Sequence, residues 1–165
     1  MLNRFLRAIT VAAILLVGGS QVARAQDELF VANRGPDQIT VYTRTSNGDV
    51  SPLRSLTGAA TGLSTPYGLV VDTVNDELIV TNQGGNSITV YGRTASGNTA
   101  PLRTISGAAT GINGPEGLAV DTVNNELAVA NVNLNSITVY SRTANGNVAP
   151  LRTLVGEAVR LGRGR

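Results

Sequence analysis

The text "ITVY" occurs at Ile39, Ile88 and Ile137, "PLR" at Pro52, Pro101 and Pro150, and "DTVN" at Asp72 and Asp121. Every spacing is 49 residues, and residues 33–81 match residues 82–130 at 28 of 49 positions. Such a period marks one supersecondary unit copied and stacked, because a single unit cannot bury its own apolar face. Whatever this chain becomes, it is built from copies of one module.

Each copy reads as four short strands. In the third, "GLAVD" (117–121) alternates into the polar turn "TVNN" and then "ELAVAN" (126–131). A loop rich in Asn leads to "SITVYSRT" (136–143), in which Ile137 and Val139 share one face and Thr138 and Tyr140 the other. "ANGN" (144–147) carries an Asn-Gly pair, a hairpin signal because both residues tolerate positive φ. "PLRTL" (150–154) closes the unit, with Pro where a missing N–H matters least, at the start of an edge strand. Four antiparallel strands at this period make a β-propeller blade. No Trp or His is present for a WD-type blade, and Gly84–Gly85 is the only Gly-Gly pair after the first 25 residues, against a kelch blade. The expected fold is all-β, with about 2.75 four-stranded blades in an open or truncated ring. The blades fall at 28–58, 67–107 and 116–156, within a repeat region of 26–156.

Residues 1–25 read as an address. Arg4 and Arg7 form a positive start, "AITVAAILLVGG" (8–19) an apolar stretch, and "ARA" (23–25) a cleavage site. About 12 apolar residues are too few to span a bilayer. The expectation is a signal peptide cleaved after Ala25, a secreted or periplasmic protein, and no membrane association afterwards. No cysteine exists, so neither a lipid anchor nor a disulfide forms.

The charge supports no nucleic-acid role. The chain has 13 basic residues, all Arg, against 11 acids. Removing Arg4, Arg7 and Arg24 leaves 10 against 11, a net of −1, and Arg160, Arg163 and Arg165 lie in the Arg/Gly tail 157–165, expected to be disordered. A phosphate-binding face needs clustered cations, and a stacking platform needs more aromatics than this.

The blade text, "PYGLVVD…LIVTN…NSITVY" and "PEGLAVD…LAVAN…NSITVY", resembles the NHL-type and lactonase-like propellers of secreted bacterial proteins. That resemblance covers nearly all of residues 28–156. It implies that the first strand of each blade lines a central channel and that the fourth lies outside. The chain after cleavage then begins in a second strand, "ELFVAN" (28–33), and after Gly156 "EAVRLGRGR" replaces the expected exit loop. Two outcomes follow: a homodimer of two chains closing a six-bladed ring, or, the favoured one, a truncated member of a longer family whose tail is read out of frame.

Without His or Cys, imidazole bases, catalytic triads and thiol chemistry are excluded. Carboxylates and an oxygen-ligated cation remain. The resemblance implies a divalent metal, Ca2+ or another, held by Glu, Asn and Asp in the channel. The comparable residues are Glu116, Asn33, Asn82 and Asn131, with Tyr67 in place of a second Glu, so no full metal set is visible. No catalytic residue and no cofactor are assigned. Asn33, Asn82 and Asn131 read as strand-end anchors for loop backbone, and Asp72 and Asp121 as turn caps. Arg44, Arg93 and Arg142, with Arg54, Arg103 and Arg152, read most simply as exposed outer-strand charge against aggregation. Tyr42, Tyr91 and Tyr140 read as blade packing.

Variation between the copies concentrates in "RGPDQ", "QGGNS" and "VNLNS", and in "STPY" against "NGPE". These second-to-third and fourth-to-first strand loops emerge on one face of a propeller, where binding usually resides. The expected recognition residues are Arg34, Asp37, Tyr67, Gln83, Asn113, Glu116 and Asn133, facing an unknown protein or small ligand. The favoured function is a binding or scaffold module. The alternative is a lactonase-like or lyase-like enzyme, or its inactive remnant.

Overall fold

The computed structural model describes the backbone of residues 20–25 and 27–156, and side chains from 27 to 156. The expected apolar core of the leader and the Arg/Gly tail lie outside the described residues. Among the described residues twelve strands form three antiparallel sheets of four. The first blade comprises β1 (Ser20–Ala25), β2 (Glu28–Asn33), β3 (Gln38–Thr43) and β4 (Arg54–Thr57). The second comprises β5 (Pro66–Asp72), β6 (Glu77–Asn82), β7 (Ser87–Gly92) and β8 (Arg103–Ser106). The third comprises β9 (Pro115–Asp121), β10 (Glu126–Asn131), β11 (Ser136–Ser141) and β12 (Arg152–Val155). Within each sheet the strands pair in chain order, and neighbouring blades approach through their first strands, as in an open propeller arc.

The first blade has one strand more than expected. Ser20–Ala25, assigned by sequence to the leader, pairs with β2 from Ser20↔Asn33 to Ala25↔Glu28. The sequence hides this strand because "SQVARA" has the small and polar residues that also suit a cleavage site. Cleavage after Ala25 and the presence of β1 are mutually exclusive states of the chain.

The core lies between blades rather than within them. Phe30, Ile39, Val41 and Leu56 of the first blade pack on Leu69, Val71, Leu78, Val80 and Tyr91 of the second. Ile79, Ile88, Val90 and Ile105 pack in the same way on Leu127, Val129 and Tyr140 of the third. Alternation puts successive side chains on opposite sheet faces, so each internal sheet needs apolar residues on both. All six residues of β6 are buried, whereas β10 alternates between buried and half-buried.

Two expectations are corrected. The Asn-Gly signal does not close a two-residue hairpin: the third and fourth strands are joined by residues 44–53, 93–102 and 142–151. Its glycine, at positive φ (Gly97 62°, Gly146 79°), instead docks on the outer strand of the preceding blade. Gly97 N–H donates to Ser55 O at 2.6 Å, and Thr57 N–H to Gly97 O at 3.0 Å. Gly146 repeats this on Thr104 and Ser106. The supposed edge strand is thereby covered by the next copy.

Of the arginine ladder, Arg44 and Arg152 stay about half exposed, but Arg54, Arg93, Arg103 and Arg142 are no solvated fringe. Glu28 is held by Arg54 of its own blade and by Arg93 of the next, Nη1 to Oε2 at 2.6 Å. Glu77 is held by Arg103 at 2.6 and 2.7 Å and by Arg142 at 2.7 Å. Arg54 and Arg103 also donate to the carbonyls of Arg93 and Arg142. Each clamp joins two blades through Glu28 or Glu77, whereas Glu126 is held by Arg152 of its own blade. Tyr91 and Tyr140 do pack between blades, each donating to a connecting-loop carbonyl, Thr61 O and Thr110 O, at 2.6 Å.

Candidate functional site

A bulge near the start of each internal first strand builds the site. Pro66 pairs with Asn82 and Leu69 with Val80, so Tyr67 and Gly68 together oppose Thr81 alone. Pro115↔Asn131 and Leu118↔Val129 place Glu116 and Gly117 identically. Such bulges turn a side chain out of the regular alternation. Gly68 is required here: a Cβ would lie 2.1 Å from the Glu116 carbonyl oxygen. The Thr81 hydroxyl fills the remaining space, accepting from Gly68 N–H at 2.8 Å and donating to Glu116 O at 2.8 Å.

The bulges bring four residues from three blades into one line. Gln83 Oε1 accepts from Arg34 Nη2 at 2.8 Å, and Gln83 Nε2 donates to Glu116 Oε1 at 2.8 Å. The Arg34 guanidinium lies over the Tyr67 ring, 4.6 Å from its centroid. All four side chains are half-buried. Arg34 and Glu116 therefore sit on opposite sides of a neutral amide, not on each other. The other described arginines, at 44, 54, 93, 103, 142 and 152, all pair with carboxylates. Among the described residues Arg34 alone has no carboxylate partner. Stacking on Tyr67 holds the cation while leaving its charge uncompensated.

Of the three remaining candidates, Asn113 and Asn133 pair with each other and Asp37 braces a loop. Asn133 Nδ2 donates to Asn113 Oδ1 at 3.0 Å, and Asp37 Oδ1 accepts from Thr65 N–H at 2.5 Å. Asn86, one repeat after Asp37, accepts from Gly114 N–H at 2.8 Å, and both adopt positive φ. Asp37 thus acts as a brace between loops, and its recurrence as Asn86 and Asn135 is the signal in the sequence for that role. The two variable loop classes do meet on one face, where Gln83 N–H also donates to Thr65 O.

The asparagine side chains are engaged by loop backbone and strand hydroxyls. Asn82 Oδ1 accepts from Ser64 N–H and its amide donates to Thr89; Asn131 Oδ1 accepts from Asn113 N–H and its amide donates to Thr138. These oxygens are committed to loop backbone inside a fully buried site. Asn33 donates to Thr40 in the same register. Among the described residues no three His, Cys, Asp or Glu side chains cluster as metal ligands. Asp72 and Asp121 each accept from the two amides of the following turn, at 2.9 and 3.0 Å. Those bonds, led by the one from Asn124, lower the Asp121 pKa.

A multi-bladed arc with a polar line across the mouth of its inner strands defines a β-propeller with a loop-face site. The chain belongs to the lactonase family of seven-bladed β-propellers, whose family model matches residues 11–101, more than half of the sequence. Solved structures share the fold at low identity. A periplasmic gluconolactonase from Pseudomonas aeruginosa aligns at TM-score 0.61 and 20% identity, over 84% of this chain and 41% of its own. A putative 6-phosphogluconolactonase from Bacteroides uniformis aligns at 0.58 and 18%, over 84% and 43%. Hydrazine synthase from Kuenenia stuttgartiensis aligns at 0.60 and 15%, over 79% and 33%. The chain spans less than half the length of each. No curated protein sequence matches it.

Proposed function

We propose that this protein is a secreted or periplasmic binding module of the lactonase propeller family, taking a small hydroxylated anion of the aldonate type at its loop face. One observation carries the reading: Arg34 is fixed by Tyr67 and Gln83 with its charge unopposed. A carboxylate on Arg34 gains charge-assisted hydrogen bonds, while Gln83 and Glu116 offer partners for hydroxyl groups. The leader pattern of residues 1–25 and the likeness to a periplasmic gluconolactonase support the compartment.

Calorimetric titration with D-gluconate tests the site. The expectation is saturable binding that weakens by about tenfold or more in R34Q, the loss of roughly one charged hydrogen bond. Equal affinity in R34Q and the parent protein would remove the proposal. The family match also favours lactone hydrolysis as a second reading, with the ring placed against the same four side chains. Acid release from glucono-δ-lactone above the spontaneous rate, abolished by R34Q, would establish it.

A further inference from the structure

We propose that the open face of the third blade docks the first blade of a second copy of this chain, head to tail. The two junctions inside the chain define what such a face requires. At each, a trailing face supplies a Glu, an apolar pair on the second and third strands, and an apolar residue on the fourth. These are Glu28, Phe30, Ile39 and Leu56, then Glu77, Ile79, Ile88 and Ile105. One repeat further on stand Glu126, Ala128, Ile137 and Leu154. Leu56 and Ile105 are 1% and 0% exposed, whereas Leu154 is 47% exposed. Ala128, Ala130 and Ile137 line a shallow apolar depression of about 200 Å³.

The leading face of the first blade carries the matching half. Leu78, Val80 and Tyr91 correspond to Leu29, Val31 and Tyr42, all half-buried instead of buried. The charges complement as well. Arg93 uses Nε for Asp76 in its own blade and Nη1 for Glu28 of the preceding blade. Arg142 likewise uses Nε for Asn125 and Nη1 for Glu77. Arg44 uses Nε for Asp27, the first half of that pattern, and is half exposed. Glu126 is held by Arg152 of its own blade, which is half of the two-arginine clamp around Glu28 and Glu77. Arg44 of one copy and Glu126 of another therefore each supply the half-clamp that the other requires, and Gly48 meets β12 as Gly97 meets β4.

The contact is heterologous, so it builds a closed pair or a row of copies according to the rotation between blades. Two copies supply six blades, one fewer than the family's seven.

Sedimentation of the purified protein tests it. The expected mass is that of two or more chains, falling to one chain in R44E and in L154R, with far-ultraviolet circular dichroism like the parent's because both side chains are exposed in the single chain. An equimolar mixture of the two variants should regain pairs, since R44E keeps an intact third blade and L154R an intact first blade. Three results overturn the proposal: a parent protein of single-chain mass at every concentration, a variant assembling as the parent does, or a mixture that stays monomeric.

Discussion

Arg93 crosses a blade boundary to reach Glu28, Nη1 to Oε2 at 2.6 Å, and Arg142 repeats the crossing to Glu77 at 2.7 Å. The pairs are separated by 65 residues in the chain, yet each is the same position one repeat on. Blade stacking is therefore ionic at its outer end and apolar at its centre.

Removing Glu77 leaves Arg103 and Arg142 facing each other with little solvent access, their side chains 13% and 12% exposed. E77A is expected to lower stability by about 3 kcal/mol, as for breaking a largely buried pair. E126A, which frees only the exposed Arg152, should cost clearly less. Urea denaturation of both variants checks the order, and equal losses would mean the clamp carries no inter-blade load.

Glu28 should make stability acid-sensitive. The Arg54 hydrogen bond, and then the nearby Arg charges, outweigh burial and hold its pKa below the ordinary 4.5. A depressed folded-state pKa contributes stability that is present above the unfolded value and lost as pH falls through the folded value. Melting temperature should thus be level above about pH 5 and fall below 4.5. In E28Q the decline should be shallower, and an unchanged slope would assign the acid sensitivity elsewhere.

Two glycines one repeat apart should respond oppositely to the same substitution. G68A drives a Cβ to 2.1 Å from the Glu116 carbonyl, whereas at Gly117 the nearest atom lies 3.8 Å away. Overpacking makes G68A destabilising by about 1–3 kcal/mol. G117A is expected to be neutral or slightly stabilising, because it restricts the unfolded chain. Thermal melts of the pair decide this.

The Tyr91 hydroxyl donates to Thr61 O at 2.6 Å in a buried site, and burial pushes its pKa to about 12. Y91F leaves that carbonyl without its partner and should cost about 1–2 kcal/mol. Ultraviolet titration of the folded protein should lose one late-ionising tyrosine in Y91F.

A chain beginning at Gln26 lacks β1 and exposes the inner edge of β2. Its β2 amides should exchange hydrogen faster than those of a chain that keeps residues 20–25, while β6 amides are unchanged. Mass spectrometry of the N-terminus shows which form the cell makes.

Much of this was legible beforehand. The 49-residue period marked three copies of one four-stranded unit but not the first strand of the first blade, and variation between copies pointed to the face where Arg34, Tyr67, Gln83 and Glu116 meet. The misreadings share one cause. Arg54, Arg93, Arg103 and Arg142 alternate outward from a single blade as solvated charge would, and "NGN" resembles a tight turn. Only the neighbouring blade turns the first into clamps and the second into a latch.

The sequence by itself determined the module, its copy number and its local turn chemistry, because strand alternation, Asx caps and glycine turns act over a few residues. Tertiary structure decided how the copies meet. The bulge that lines Arg34 up with Gln83 and Glu116, the clamps at Glu28 and Glu77, and the strand drawn from Ser20–Ala25 all join residues from different strands or blades. Those contacts depend on stacking geometry, which a repeat specifies only once its neighbours are in place.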